Sequence, residues 1–396
     1  MNILIVSNIY PFQTGGAETQ ARLLAEVWIR QGHHVTVAGN RIPSKRLEVE
    51  HGSMSYIECI TIPTVKTNRF TRAASYTISL FWILFRKRKK YDIIYCRFIQ
   101  EAALLISFFK KIYLIDVPLV ACAECSGDIG DAAVLGRFPI NTFFVNLIRS
   151  ECNSIIIISS KIKKELVAIG LDEEKFSYIP NGTYISNPEK IKLCRSNKNK
   201  IVFIGRLCSQ KGIPYLIQAV NNLKKRNISI ELTVIGDGPS TIELKQLTVS
   251  MGVNQIVQFA GRIENEKIPS ILKEHHIFVL PSLFEGFGIA VIEAMAAGLP
   301  VVVTQCGGPE DFVDDSVGRV VNAGDADSLA QALQELIQLS DEELHAMGMA
   351  AQERVKNNFD INVIADKYIQ LFKQLVQQTS SPNQTTTPPQ QFSAFQ

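Results

Sequence analysis

The stretch "HIFVLPSLFEGFGIAVIEAMAAGLPVVVT", residues 276–304, decides the fold. It opens on a short apolar run and passes through a turn containing glycine. It then continues as an oily segment of helical length and ends on a second apolar run. Short apolar runs bounded by turn formers suit strands buried on both faces, as parallel sheets use them. Strand, helix, strand is a crossover unit, right-handed almost without exception. Two carboxylates stand inside it, Glu285 and Glu293. Acidic side chains are seldom buried unless paired or hydrogen-bonded, so their place in this segment asks for a reason.

The unit repeats outward from there. "KIVFIG", "ELTVIG", "QIVQFAG", "HIFVLP", "PVVVT" and "GRVVN" read as strands, each followed by a helical segment. Earlier in the chain, "NILIVS" is a strand and "NIYPFQTGG" a loop. A helix follows from near Ala17, with Leu23, Leu24, Val27 and Trp28 at helical spacing, and "HVTVAG" is the next strand. "YDIIYC", "VPLVACA" and "SIIIIS" continue the pattern. The polar stretch "IPNGTYISNPEKIKLCRSNKNK" interrupts it as a linker. The expected fold is α/β, with two doubly wound Rossmann-like domains facing a cleft. Residues 1–183 form the first domain, 184–199 the linker and 200–357 the second domain. An amphipathic helix over 358–377 and a disordered, Pro/Thr/Gln-rich tail over 378–396 complete the chain. In such sheets ligands bind beyond the carboxyl ends of the strands, which makes the cleft the expected site.

Composition sets limits. The chain has 396 residues, 46% of them hydrophobic and 20% charged, as in a soluble protein with more than one core. The net charge is +3, and basic residues concentrate in the amino half. Nucleic acid is not an expected partner. The eight cysteines are scattered singly, as buried thiols in a reducing cytosol would be. Cys122 and Cys125 form one C-x-x-C, but a zinc site needs a second pair. "MNILIVSNIYPF" reads as strand and turn rather than as a signal peptide, so a cytoplasmic location is expected. "YTISLFWILF" is about half a membrane span and runs into "RKRKK". Residues 70–90 are therefore expected to lie as an amphipathic basic helix on an anionic membrane surface, peripherally. The alternative is a helix whose aromatic face packs on the sheet and whose basic end is solvated.

Glu285 falls on the loop after a strand, and the helix begins near Gly288. The first-turn amides of Gly288, Ile289 and Ala290 have no intrahelical acceptor, and the helix dipole adds positive potential. An anion suits that place, and Gly286 and Gly288 leave room for it. Glu293, among apolar neighbours, is explained by a sugar whose hydroxyls donate to it, or by a solvated helix face. Arg206 and Lys211 in "FIGRLCSQKG" suit a diphosphate at a strand end. Gly15 and Gly16 in "QTGGAE", and Gly236 in "VIGDGPS", read as points of close backbone approach to a phosphate or sugar, each weak alone. Asp325 and Asp327 read as helix caps rather than as a metal pair. The six histidines lack metal-ligand spacing.

Taken together, "FEGFGIAVIEAMAAGLPVV", with its Glu285-x7-Glu293 spacing, and "GRLCSQKG", "VIGDGP", "FAGRI", "IPNG" and "GGPEDFVDDSVGRVV" occur in the expected order. The chain resembles the retaining glycosyltransferases of family 4, of GT-B architecture, over nearly its whole length to about residue 377. The resemblance implies transfer of a sugar from a UDP-sugar or GDP-sugar to a glycan or lipid-linked acceptor. It further implies retention of anomeric configuration, no cofactor and no metal. Arg206 and Lys211 would bind the diphosphate and Glu285 the donor sugar. Glu293 would bind the ribose, and Arg262 would lie near the base. Gly236, Gly286, Phe287, Gly288 and Ile289 would line the donor. Gly15 and Gly16 would close over it, and the last helix would pack back on the first domain. Many members carry a histidine after the strand matching "VPLVACA". Here "ACAECSGDIGD" offers Glu124, Ser126 and Asp128 instead, and Glu124 or Asp128 is expected to orient the acceptor or sugar. The competing readings are a nucleotide-sugar epimerase or another non-transferring GT-B enzyme, and a catalytically silent sugar-binding subunit.

Overall fold

The computed structural model describes residues 1–13, 15–49, 55–65, 67–137, 141–185 and 199–380. They form two compact units, one of Met1–Asn181 with the helix Ile361–Ser380, the other of Gly182–Asp360. The expected linker lies mostly outside the described residues.

In the first unit the strands are β1 (Asn2–Val6), β2 (His34–Gly39), β3 (Lys45–Glu48), β4 (Tyr56–Thr61), β5 (Ile93–Arg97), β6 (Leu119–Cys122), β7 (Ser154–Ile157) and β8 (Phe176–Tyr178). They alternate with α1 (Gly16–Arg30), α2 (Arg69–Lys87), α3 (Glu101–Lys111), α4 (Asp131–Gly136), α5 (Asn141–Glu151) and α6 (Ser160–Ala168). The sheet order is β3-β4-β2-β1-β5-β6-β7-β8. Ile3, Leu4 and Ile5 are wholly buried, because a central parallel strand is covered on both faces. The β3–β4 pair is antiparallel. β3 reads "KRLE" and carries none of the apolar signal that marks the other strands. Charged side chains of this kind blunt an exposed sheet edge.

The second unit contains β9 (Lys200–Ile204), β10 (Glu231–Ile235), β11 (Val257–Gly261), β12 (Ile277–Leu280), β13 (Val301–Thr304) and β14 (Gly318–Val321). Its helices are α7 (Ile213–Lys225), α8 (Thr241–Ser250), α9 (Ile268–Leu272), α10 (Ile289–Ala296), α11 (Ala326–Gln338) and α12 (Asp341–Asn358). Every strand pair in it is parallel, in the order β11-β10-β9-β12-β13-β14. The winding reverses between β9 and β12, and doubly wound sheets bind ligands at that point. One expectation needs correcting here. No α-helix follows β13, and a single short turn, Pro309–Asp311, begins the connection to β14. Gly307, Gly308 and Pro309 break the helical pattern there.

The last helix, α13, spans Ile361–Ser380, three residues later at each end than expected from 358–377. The remainder of the expected tail lies outside the described residues. α13 belongs to the first unit. Trp28 of α1 donates its indole N–H to the carbonyl of Ala365, at 3.2 Å. Its ring meets those of Tyr368 and Phe372 at centroid distances of 5.8 and 5.5 Å. Tyr95 of β5 closes the cluster through a 3.1 Å hydroxyl contact with Tyr368. Aromatic rings bury large apolar areas, so this cluster fixes α13 onto the sheet.

Candidate functional site

The loops after β9 and β12 leave the reversal point of the second unit side by side. Leu283 donates its N–H to the carbonyl of Gln210, at 2.8 Å, and the Gln210 amide returns a bond to the carbonyl of Phe284, at 2.9 Å. Gly212 has φ +60°, and a Cβ there would stand 2.0 Å from the carbonyl oxygen of Pro281. Only glycine allows so close an approach.

This seam brings Lys211 to Glu285, with Nζ to Oε2 at 2.6 Å and the two side chains 16% and 15% exposed. The buried Ser282 donates its hydroxyl to the same carboxylate oxygen, at 3.2 Å. Burial alone would lower the Lys211 pKa. The charge and hydrogen bond of Glu285 outweigh it and hold the ammonium above its ordinary value. The two groups predicted to face a diphosphate and a sugar thus meet at the reversal point.

α10 begins at Ile289, four residues after Glu285. Gly288 stands at its N-cap with φ +91°, without a capping side chain. The first amides of the helix therefore point outward without a side-chain acceptor. Phe287 is buried, and its ring packs on Phe312 and Phe359 at 5.0 and 5.6 Å, so its main chain alone is available to a ligand. Glu293 is half-buried, and its carboxylate has no hydrogen bond or ion pair among the described residues. Burial pushes its carboxyl up to about 7.

Glu310, which sequence reasoning passed over, organises the loop behind the pair. Its carboxylate accepts the amides of Cys306, Gly307 and Gly308 at 3.3, 2.7 and 3.0 Å. Glu285 in turn donates its amide to the carbonyl of Cys306, at 3.1 Å. A Cβ on Gly308 would stand 2.7 Å from Cα of Phe287, so the two loops are in main-chain contact. The clue was "CGGPE", in which the amides of Cys306 and two glycines are followed by a carboxylate that can receive them.

The remaining residues of this unit stand differently. Arg206 and Arg262 are exposed at the starts of the loops after β9 and β11, and neither is ion-paired among the described residues. Gly236, expected beside the donor, packs against the main chain that follows β9. It has φ +132°, and a Cβ would lie 1.9 Å from the carbonyl oxygen of Gly205. Asp325 accepts the amides of Asp327 and Ser328 as the N-cap of α11, as expected. The described residues hold no cluster of three or more His, Cys, Asp or Glu side chains placed to bind a metal ion.

The first unit holds the other candidates. Gly15 and Gly16 are exposed at the start of α1, beyond β1. The nearest neighbour to a Cβ on Gly15 would be the Glu18 carboxylate, at 2.4 Å. Asp128 is exposed in a short turn. Glu124 is buried. Its carboxylate lies against the guanidinium of Arg97, with both side chains almost inaccessible. Arg97 also donates to Tyr95 and to Asn181, each at 3.2 Å. Burial opposes the charge on Arg97, and Glu124 sustains it. Glu124 is thus the counterion of Arg97 inside the first unit, whereas Asp128 is exposed. Asp131, also unforeseen, is fully buried and accepts the amides of Ile99, Glu124 and Cys125 at 2.9, 2.8 and 3.2 Å.

Comparison with known proteins places this geometry. Residues 14–186 match the family model for glycosyltransferase family 4, and residues 187–354 match that for glycosyl transferases group 1. An uncharacterized glycosyltransferase of Methanocaldococcus jannaschii is 28% identical over 363 residues, covering 83% of this chain and 87% of the relative. An Escherichia coli UDP-Gal:alpha-D-GlcNAc-diphosphoundecaprenol alpha-1,3-galactosyltransferase is 27% identical, covering 76% and 79%. Anabaena HepE, solved with UDP and glucose, superposes with a TM-score of 0.74 at 20% identity, over 94% of this chain and all of that one. The chain belongs to the group 1 glycosyltransferases of GT-B fold.

Proposed function

We propose that the chain transfers a hexose from a UDP-sugar to a glycan or lipid-linked acceptor in polysaccharide biosynthesis. Transfer retains the anomeric configuration and needs no metal. The observation that carries this reading is the Lys211–Glu285 pair at the reversal point of the second sheet, beside the open amides of α10. UDP is favoured over GDP because the superposing HepE was solved with UDP and the E. coli relative uses UDP-Gal by its name.

As the bond between the anomeric carbon and the diphosphate oxygen breaks, negative charge gathers on the leaving group. Lys211, Arg206 and the amides of Gly288 and Ile289 offset that charge, and fixed donors of this kind each lower a barrier by a few kcal/mol. Glu285 orients the sugar, and Glu293 accepts the ribose hydroxyls. The acceptor hydroxyl attacks from the side the diphosphate leaves, and its proton passes to the departing phosphate oxygen. The protein then acts from the cytoplasmic face of a membrane, held peripherally through residues 70–90.

The test incubates the protein with a panel of UDP- and GDP-sugars, with and without lipid-linked and soluble glycan acceptors. Release of UDP coupled to product of unchanged anomeric configuration, undiminished by a chelator, is the expected result. Conversion of the nucleotide sugar without any acceptor product would favour a non-transferring enzyme and overturn the reading.

A further inference from the structure

The first sheet has a reversal point of its own. β1 pairs with β2 on one side and with β5 on the other, both parallel. A doubly wound sheet binds ligands beyond the carboxyl ends of such strands, here between the loops after β1 and β5. Hydrogen bonds draw these two loops to opposite sides of that point. After β1, Ser7 donates its amide to the carbonyl of Ala38 at 3.0 Å, and Asn8 accepts the amide of Arg41 at 3.1 Å. That loop is thereby held to the one after β2. After β5, Phe98 donates its amide to the carbonyl of Cys122 at 2.9 Å. The buried Asp131 takes the amide of Ile99 on one carboxylate oxygen and those of Glu124 and Cys125 on the other. This second loop is thereby held to the one after β6.

Phe98 stands at the start of it with φ +74°. Among the described residues, the other non-glycine residues with positive φ are Tyr113 and Asn227. Each of those follows the end of a helix, α3 and α7, where a left-handed residue is an ordinary terminator. Phe98 follows a strand and terminates no helix. A bulky residue in that region is strained. Such strain persists where the surroundings impose it, and it concentrates at ligand sites. Here the bonds to Cys122 and Asp131, at Phe98 and at the next residue, impose it. The Phe98 side chain is half-buried, and its ring has no aromatic partner among the described residues.

We infer that Phe98 contacts the acceptor by stacking its ring on a pyranose ring, and that Asp131 is the positioning residue that holds it there. A sugar ring presents a face of C–H groups, which suits a flat apolar surface, and small-molecule sites are lined largely by such side chains. This rests on the transfer reading above and adds what the acceptor must carry. The end that enters the first unit is a sugar, not a bare lipid phosphate.

Saturation-transfer NMR on the full chain tests this without turnover. The aromatic protons of the protein are irradiated in the presence of the methyl glycosides of glucose, galactose and N-acetylglucosamine in turn. Titration calorimetry with UDP is run separately on the same proteins. The expected result is saturation of the ring C–H protons of at least one glycoside, lost in Phe98→Asn and kept in Phe98→Tyr. Asparagine adopts positive φ readily, so Phe98→Asn should keep the fold, as thermal unfolding will show. With a glycan acceptor, Phe98→Asn should raise the acceptor KM roughly tenfold and leave the UDP-sugar KM in place. Asp131→Asn sets an N–H against main-chain amides that the carboxylate now accepts. It should weaken the saturation signal and speed hydrogen exchange at residues 98–100 and 124–125, with the heat of UDP binding unmoved. No saturation of any glycoside, equal saturation in the wild type and Phe98→Asn, or loss of UDP binding in Phe98→Asn would overturn the role of Phe98. Full saturation in Asp131→Asn despite faster exchange at 98–100 would overturn the positioning role. Saturation that follows Phe98 in a protein that takes up no UDP would sink the transfer reading and leave the sugar contact standing.

Discussion

At the scale of single residues, Lys211 and Glu285 hold each other, and their charges can be separated from their function by substitution. Lys211→Met leaves a poorly solvated carboxylate unpaired and should cost about 1–3 kcal/mol of stability, read by urea unfolding. Adding Glu285→Gln should recover most of that loss. Turnover should remain down by roughly two to three orders of magnitude in both variants, because the charge facing the leaving group is absent in both. Recovery of turnover with stability would make the pair purely structural. Glu293 gives a second test. Its carboxyl is raised from 4.5 to about 7 by burial, so the folded protein holds that proton more tightly than the unfolded chain does. The group therefore costs stability as pH climbs through that window, and Glu293→Gln should stabilise the protein at pH 8. In the proposed role, ribose hydroxyls donate to the ionised form of Glu293. UDP affinity should accordingly fall by about tenfold per pH unit below 7 and level off above it. Calorimetry across pH should show that slope in the wild type and a flat profile in Glu293→Gln.

At the scale of elements, the site is set by loops held against loops, not by one helix. Glu310 satisfies three amides of the β13 loop, and that loop supports the main chain beside Glu285. Glu310→Ala should cost about 1–3 kcal/mol, since hydrogen bonds to a charged acceptor are among the stronger ones. Hydrogen exchange should speed up at residues 284–290 as well as at 306–310. Exchange confined to 306–310 would mean that the two loops are independent. Gly236→Ala would drive a methyl into the carbonyl of Gly205 at a positive φ, and should destabilise the second unit. The strands of the second unit were legible because each is a dense apolar run between turn formers. β3 was illegible because an edge strand of charged residues carries no such run. The Glu285–Lys211 site was legible because its residues fall on loops whose position the strand pattern fixes. The packing of Gly236 on the Gly205 carbonyl was illegible because a glycine admits any close neighbour, and its identity is not written in the sequence. The pairing of Glu124 was illegible because its partner, Arg97, lies 27 residues away on an adjacent strand.

At the scale of the whole molecule, the chain ends by returning to the unit it began. Trp28, Tyr95, Tyr368 and Phe372 form one aromatic cluster from both ends of the sequence. Tyr368→Ala should destabilise the first unit by about 3–5 kcal/mol. Exchange protection should fall in β1 and β5 while β9 and β12 keep theirs; uniform loss throughout would show that the two units melt as one. The amphipathic spacing of α13 was visible in sequence, whereas its partner Trp28 was visible only once the ring contacts were. The claim on which the rest depends is that the reversal point of the second sheet binds a nucleoside diphosphate. Titration calorimetry of UDP into the full chain at pH 8 measures it. The prediction is saturable binding at one site, weakened by about tenfold or more in Lys211→Met, as loss of a charge-assisted contact requires. No heat of binding, or binding that neither Lys211→Met nor Glu293→Gln alters, would contradict it.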